Sequence, residues 1–223
     1  MSFVYFNSTA KEYYPLSNLN RAPVTINKET LDKSWIELNP QLESFFEEGE
    51  EMMFPSIEHL WHALKATDRD TFVEFSSKGR FGEHDAKAFA LVFSETEAGK
   101  KKAWWMNKGN VGIIPKMASS EKRGFKLNIR HKMKYERERP EPQLEKRIWI
   151  ALLGNKYRQN FKHREMLKKT RGKKLIEFAR GAARKGANEH WGGCFVDGKL
   201  HGENVMGQYM EEIRDKLIEE EQE

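Results

Sequence analysis

The chain has 223 residues, 38% of them hydrophobic with 14 Phe and 6 Trp, and its 39 Lys and Arg outnumber 34 Asp and Glu by five. That aromatic content excludes a wholly disordered chain, and no apolar run approaches the roughly 18–20 residues that cross a bilayer. The single cysteine, Cys194, excludes an internal disulfide or a Cys-rich zinc site. The expectation is one cytoplasmic domain, without metal or cofactor and with no membrane partner, since a domain holds roughly 100–200 residues. No basic stretch followed by an apolar one opens the sequence, so no secretory signal is expected.

The charge is uneven. Residues 1–98 carry 9 basic and 17 acidic groups, and residues 99–174 carry 24 and 6. Residues 175–202 carry 4 and 3, and residues 203–223 carry 2 and 8. An acidic chain thus has a strongly basic middle, which is either a solvated polar surface or a docking site for phosphate or nucleic acid.

In chain order, the alternating opening VYFNSTAKEYYPLSNL reads as a short strand entering a loop at Pro15. Strand signals recur at 24–26 and 34–38, and a glutamate-rich stretch follows from 41 to 53. Helical patterns then dominate, at 56–66, 85–92, 144–153, 164–169, 173–184 and 205–220. Residues 99–143 lack periodicity and read as a basic insertion or extended loop within the single domain 1–223. In CFVDGKLHG, Asp197-Gly198 marks a tight hairpin near 194–201. The last helix buries Met206, Tyr209, Met210, Ile213 and Leu217, and the acidic tail 218–223 is expected to be frayed and solvated. The fold class is mainly α, multihelical, with a few short strands near the N-terminus.

The segment FPSIEHLWHALKA is the most informative. Ser56 after Pro55 fits a helix N-cap. Ile57, Leu60, Trp61 and Leu64 form an apolar stripe, and Glu58, His62 and Lys65 share a strip about 80–140° around from Ile57, with His59 pointing elsewhere. These residues fit an ordinary helix supported by i,i+3 and i,i+4 pairs. They also fit a site in which a first-turn carboxylate is kept ionised by the helix dipole and a nearby lysine. A zinc site is disfavoured, because His59 and His62 are three apart and HExxH is absent.

The blocks YYPLSNL, FPSIEHLWHALKA with Glu58, His59 and Lys65, LLGNKYRQN, LIEFARGAA, HWGG and GENVMGQYMEEIR follow one another over roughly residues 3–98 and 144–217. In that order they resemble the NADAR family, also called YbiA-like proteins. The chain departs from the family in having Asn188 where Asp is usual, His62 where Gln is frequent, and a long basic 99–143 segment.

The resemblance implies a largely α-helical, metal- and cofactor-independent N-glycosidase. Its substrate would be a small phosphorylated riboside, either a riboflavin-pathway ribosylamino-pyrimidine intermediate or an ADP-ribose conjugate. Glu58 would be the key carboxylate, as base, nucleophile or stabiliser of an oxocarbenium-like ribose. Glu189 would be a stand-in for the acid absent at Asn188. Lys65 would hold a phosphate or ribose oxygen, or be a surface cation. Trp191 would stack on base or ribose, or be a core residue. Asn18, His62, Asn188, Gly192, Asn204 and Gly207 complete the expected substrate contacts, Asn204 being otherwise an N-cap and the start of the last helix a phosphate site.

Two further readings concern the basic 99–174 region. It would bring ADP-ribosylated nucleic acid to the same chemistry, or serve a non-catalytic nucleic-acid-binding protein on this fold. Lys100, Lys101 and Lys102 beside Trp104 and Trp105 are the cations and stacking rings that single-strand binders combine. The oligomeric state is not legible.

Overall fold

The computed structural model describes residues 2–7, 12–83, 140–184 and 188–222. The helix expected at 85–92 and the residues Lys100, Lys101, Lys102, Trp104 and Trp105 lie outside them. The chain divides into two compact units, one made of residues up to 18 together with those from 160 onward, the other of residues 19–159.

The 19–159 unit is built on an antiparallel pair, β2 (Val24–Asn27) and β3 (Glu51–Phe54), in the register Val24↔Phe54 and Ile26↔Met52. Those four side chains share one face of the ribbon and are buried. Around them lie α1 (Lys33–Leu38), α2 (Ile57–Ala63), α3 (Arg69–Glu74), α4 (Arg80–Glu83) and α5 (Pro142–Gln159). Phe72 of α3 gathers Phe45, Phe46 and Phe54, with ring centroids 5.3–5.6 Å away. Aromatic pairs at that spacing add to simple area burial.

In the other unit, β1 (Phe3–Phe6) runs parallel to β4 (Lys174–Glu177), with Val4 opposite Leu175. Against β4 packs α7 (Val205–Glu219), which also meets α6 (Phe161–Lys168). The hairpin of β5 (Cys194–Val196) and β6 (Lys199–His201) turns at Asp197 and Gly198, both at positive φ (50° and 76°). That backbone fits an Asp-Gly turn, as glycine takes positive φ without steric cost. The expected stripe of α7 is buried in full.

Two expectations need correction. Residues 34–38 belong to a helix rather than a strand: Asp32 accepts the Ser34 N–H at 2.8 Å and starts α1. The spacing of Trp35 and Leu38 then buries both on one helical face. Residues 173–184 are not one helix: Leu175 and Ile176 lie in β4, and residues 180–183 form a single 3-10 turn. The β4 backbone pairs with β1, and the glycine before it, Gly172, sits at φ 75°. The acidic tail is exposed where it is described, and its Glu221 pairs with Lys168 and lies 3.9 Å from Arg164. No helix among the described residues is long and apolar enough to cross a membrane.

Candidate active site

The chain leaves β3 through Pro55 and enters α2 at Ser56, whose extended backbone (φ −156°, ψ 163°) suits a cap. The Ser56 hydroxyl accepts the His59 N–H at 3.4 Å. The same oxygen stands 2.8 Å from His59 Nδ1, and His59 Nε2 lies 3.3 Å from the Phe81 carbonyl. A carbonyl only accepts, so Nε2 carries the ring proton and Nδ1 accepts from the Ser56 hydroxyl. Burial pushes the His59 pKa down to about 3, and the neighbouring His62 and Arg21 push the same way, against the Phe81 carbonyl and Glu58. His59 is therefore a neutral, fully buried histidine that ties the start of α2 to α4.

Glu58, His62 and Lys65 do form one strip, and α2 is so enclosed that they are only 4%, 7% and 5% exposed. Glu58 Oε1 lies 3.6 Å from His62 Nε2, and Lys65 Nζ lies 3.2 Å from His62 Nδ1. The His62 ring stacks on Phe75, 5.9 Å between centroids at 17°. Lys65 Nζ also stands 4.9 Å above the Trp61 ring, within cation–π range. A carboxylate, an imidazole and an ammonium thus follow one another along the strip, beside the rings of Phe75 and Trp61. Such an arrangement can fix a carboxylate and supply positive charge nearby without a metal.

A second grouping surrounds the start of α7 in the other unit. The Asn204 backbone is left-handed (φ 51°, ψ 41°), and its side chain does not cap the helix. Its carboxamide instead accepts the Glu177 N–H at 3.0 Å and donates to the Leu175 carbonyl at 2.8 Å. The first two N–H groups of α7, from Val205 and Met206, donate to the carbonyls of His190 and Trp191 at 3.1 Å each. The phosphate site expected at this helix start is therefore occupied at those groups by the chain itself. A Cβ on Gly207 would lie 2.1 Å from the Leu175 carbonyl oxygen, and one on Gly192 would lie 2.3 Å from the Glu177 carbonyl oxygen. Both glycines serve close backbone packing.

Trp191 is half-buried, edge-on to His190 with 4.7 Å between centroids. His190 Nδ1 lies 2.6 Å from a carboxylate oxygen of Glu203. Asn18 is buried; its Nδ2 lies 3.2 Å from Met206 Sδ, and its Oδ1 has no hydrogen-bond partner among the described residues. Asn188 is exposed, and the half-buried Glu189 accepts the Glu203 N–H through its backbone carbonyl.

A cavity of about 330 Å³ lies elsewhere in the 19–159 unit. Its walls include Thr25, Met53, Val73, Ser77 and the ion pair of Arg69 with Glu50 (2.8 Å). None of the residues expected to do chemistry lines it. The cavity was not foreseen from sequence, because its walls come from β2, β3, α3 and the following turn. Among the described residues, no three His, Cys, Asp or Glu side chains gather in a metal-holding arrangement.

No family model matches the chain, and no curated protein matches it. Among solved structures, it is similar to the NMR structure of the E. coli protein YbiA, with a TM-score of 0.47 and 17% identity. That similarity covers all of this chain and 90% of the other.

Proposed function

We propose that the chain is an N-glycosidase of the NADAR type, hydrolysing the bond between ribose C1′ and nitrogen in a phosphorylated riboside. The observation that carries this reading is the buried Glu58 carboxylate, aligned on α2 with His62 at 3.6 Å and Lys65 beyond it. The NADAR-like segment FPSIEHLWHALKA supplies all three groups. As the C1′–N bond lengthens, the ribose acquires oxocarbenium character, and a fixed carboxylate lowers the energy of that cation. Water then adds to C1′. The proton it loses passes to Glu58 and on to solvent, and the departing nitrogen takes one up from solvent, so the carboxylate is regenerated.

The strongly basic 99–174 segment favours a second substrate of the same chemistry, ADP-ribosylated nucleic acid, over a small riboside alone. The test offers the purified protein a riboflavin-pathway ribosylamino-pyrimidine and ADP-ribosylated DNA in parallel, following release of the ribosyl product. Glu58→Gln should lower that release by about 10²–10⁴-fold while leaving the circular dichroism spectrum unchanged. Wild-type turnover in this variant removes Glu58 from the reaction, and no release from either substrate leaves a binding protein.

A further inference from the structure

We infer that His62 is a positioning residue for Glu58, held by Lys65 as a neutral imidazole with its proton on Nε2. The catalytic part of this inference rests on the role proposed for Glu58; the tautomer rests on contacts alone. An ammonium has three donors and no acceptor, so the ring nitrogen 3.2 Å from Lys65 Nζ must present a lone pair. That nitrogen is Nδ1, which places the single ring proton on Nε2. Nε2 faces Glu58 Oε1 at 3.6 Å.

An imidazolium would turn an N–H toward the ammonium at that same short distance. In a strip this buried, the like-charge contact is costly. Phe75 fixes the plane of the ring by stacking, so the Nε2–H direction is set from both sides. The 3.6 Å separation is longer than a hydrogen bond, and a small rotation on substrate binding would close it. His62 thus orients the carboxylate through a neutral dipole rather than through a counter-charge. This differs from the direct substrate contact expected from the sequence.

The experiment labels histidine with 15N in the full chain and records long-range 1H–15N spectra at pH 7, assigning His62 by the signal lost in His62→Gln. The expected signature is a protonated Nε2 with an unprotonated Nδ1. An imidazolium or an Nδ1–H tautomer overturns the inference, and this measurement needs no active variant. In turnover, His62→Leu should lower kcat by about 10–100-fold with KM little changed, as for other groups that act through a reactive neighbour. His62→Gln should rescue it, because one carboxamide accepts from Lys65 and donates to Glu58 as the imidazole does. A raised KM with intact kcat would place His62 on the substrate and overturn the positioning role. If the wild type releases no ribosyl product, the Glu58 reading fails, while the spectrum still decides the tautomer.

Discussion

Asn204 grips the backbone of β4 at two points, accepting the Glu177 N–H at 3.0 Å and donating to the Leu175 carbonyl at 2.8 Å. A residue positioned to begin a helix instead completes the hydrogen bonding of a strand 27 to 29 positions earlier. Asn204→Asp keeps the acceptor for Glu177 but sets a carboxylate oxygen against the Leu175 carbonyl. Leaving a buried acceptor unsatisfied costs about 1–3 kcal/mol, more when a charge is involved. Urea unfolding should show a loss of at least about 2 kcal/mol, larger at pH 7 than near pH 4, where the side chain becomes a donor again.

Gly207 lies in the first turn of α7 beneath the same carbonyl. On helix propensity alone, Gly207→Ala would stabilise by about 1 kcal/mol. Yet the added Cβ would meet the Leu175 oxygen at 2.1 Å, and the obstacle is backbone rather than a flexible side chain. Overpacking costs about 1–3 kcal/mol or more, so the clash wins and the variant should melt earlier than wild type. An unchanged or raised melting temperature would show that α7 can move off β4 freely.

His59 makes stability depend on pH. Its folded pKa is about 3, against 6.5 for the free side chain, because burial disfavours the charged ring. Between those values the unfolded chain binds the extra proton, so the contribution is complete above about pH 6.5 and is lost as pH falls toward about 3. The slope is about 1.4 kcal/mol per pH unit. Unfolding free energies measured at pH 6.5 and 4.5 should fall more steeply in wild type than in His59→Gln. Equal slopes would mean that His59 is protonated in the folded protein.

Ser56 supports both the helix start and the His59 ring. Ser56→Ala removes a cap, worth about 1 kcal/mol, and leaves Nδ1 of a fully buried imidazole without its donor. The combined loss should be about 2–3 kcal/mol, visible in denaturant unfolding. It should exceed that of Asp32→Ala, where a half-buried cap is lost from α1.

What the sequence made legible was local. Ser56 ahead of Ile57 marked α2, the stripe from Met206 to Leu217 marked α7, and Asp197-Gly198 marked the hairpin turn. Each depends on spacing within a turn or two of chain. Where partners lie far away, local pattern misled. The LIE of β4 is strand because β1 lies alongside it some 170 residues earlier. Asn204 is no side-chain cap because that strand needs its carboxamide. The strip of Glu58, His62 and Lys65 followed from helical period, but the depth of its burial did not. His59, one position from Glu58, gave no sign that it would be enclosed completely, with its ring partner, the Phe81 carbonyl, 22 positions away.

The parallel pairing of β1 with β4 also bears on how the chain is made. One compact unit is contiguous, residues 19–159, while the other joins the first 18 residues to those from 160 onward. On a ribosome, β1 emerges well before its partner and waits, unpaired with it, until β4 and then α7 have been synthesised. At about 5–20 residues per second, that delay is on the order of ten seconds or more. Throughout it, Val4 and Phe6, both buried in the finished fold, have no strand beside them. The interval in which this protein is most exposed to mispairing is therefore set by the length of everything between its two paired strands, the basic segment included.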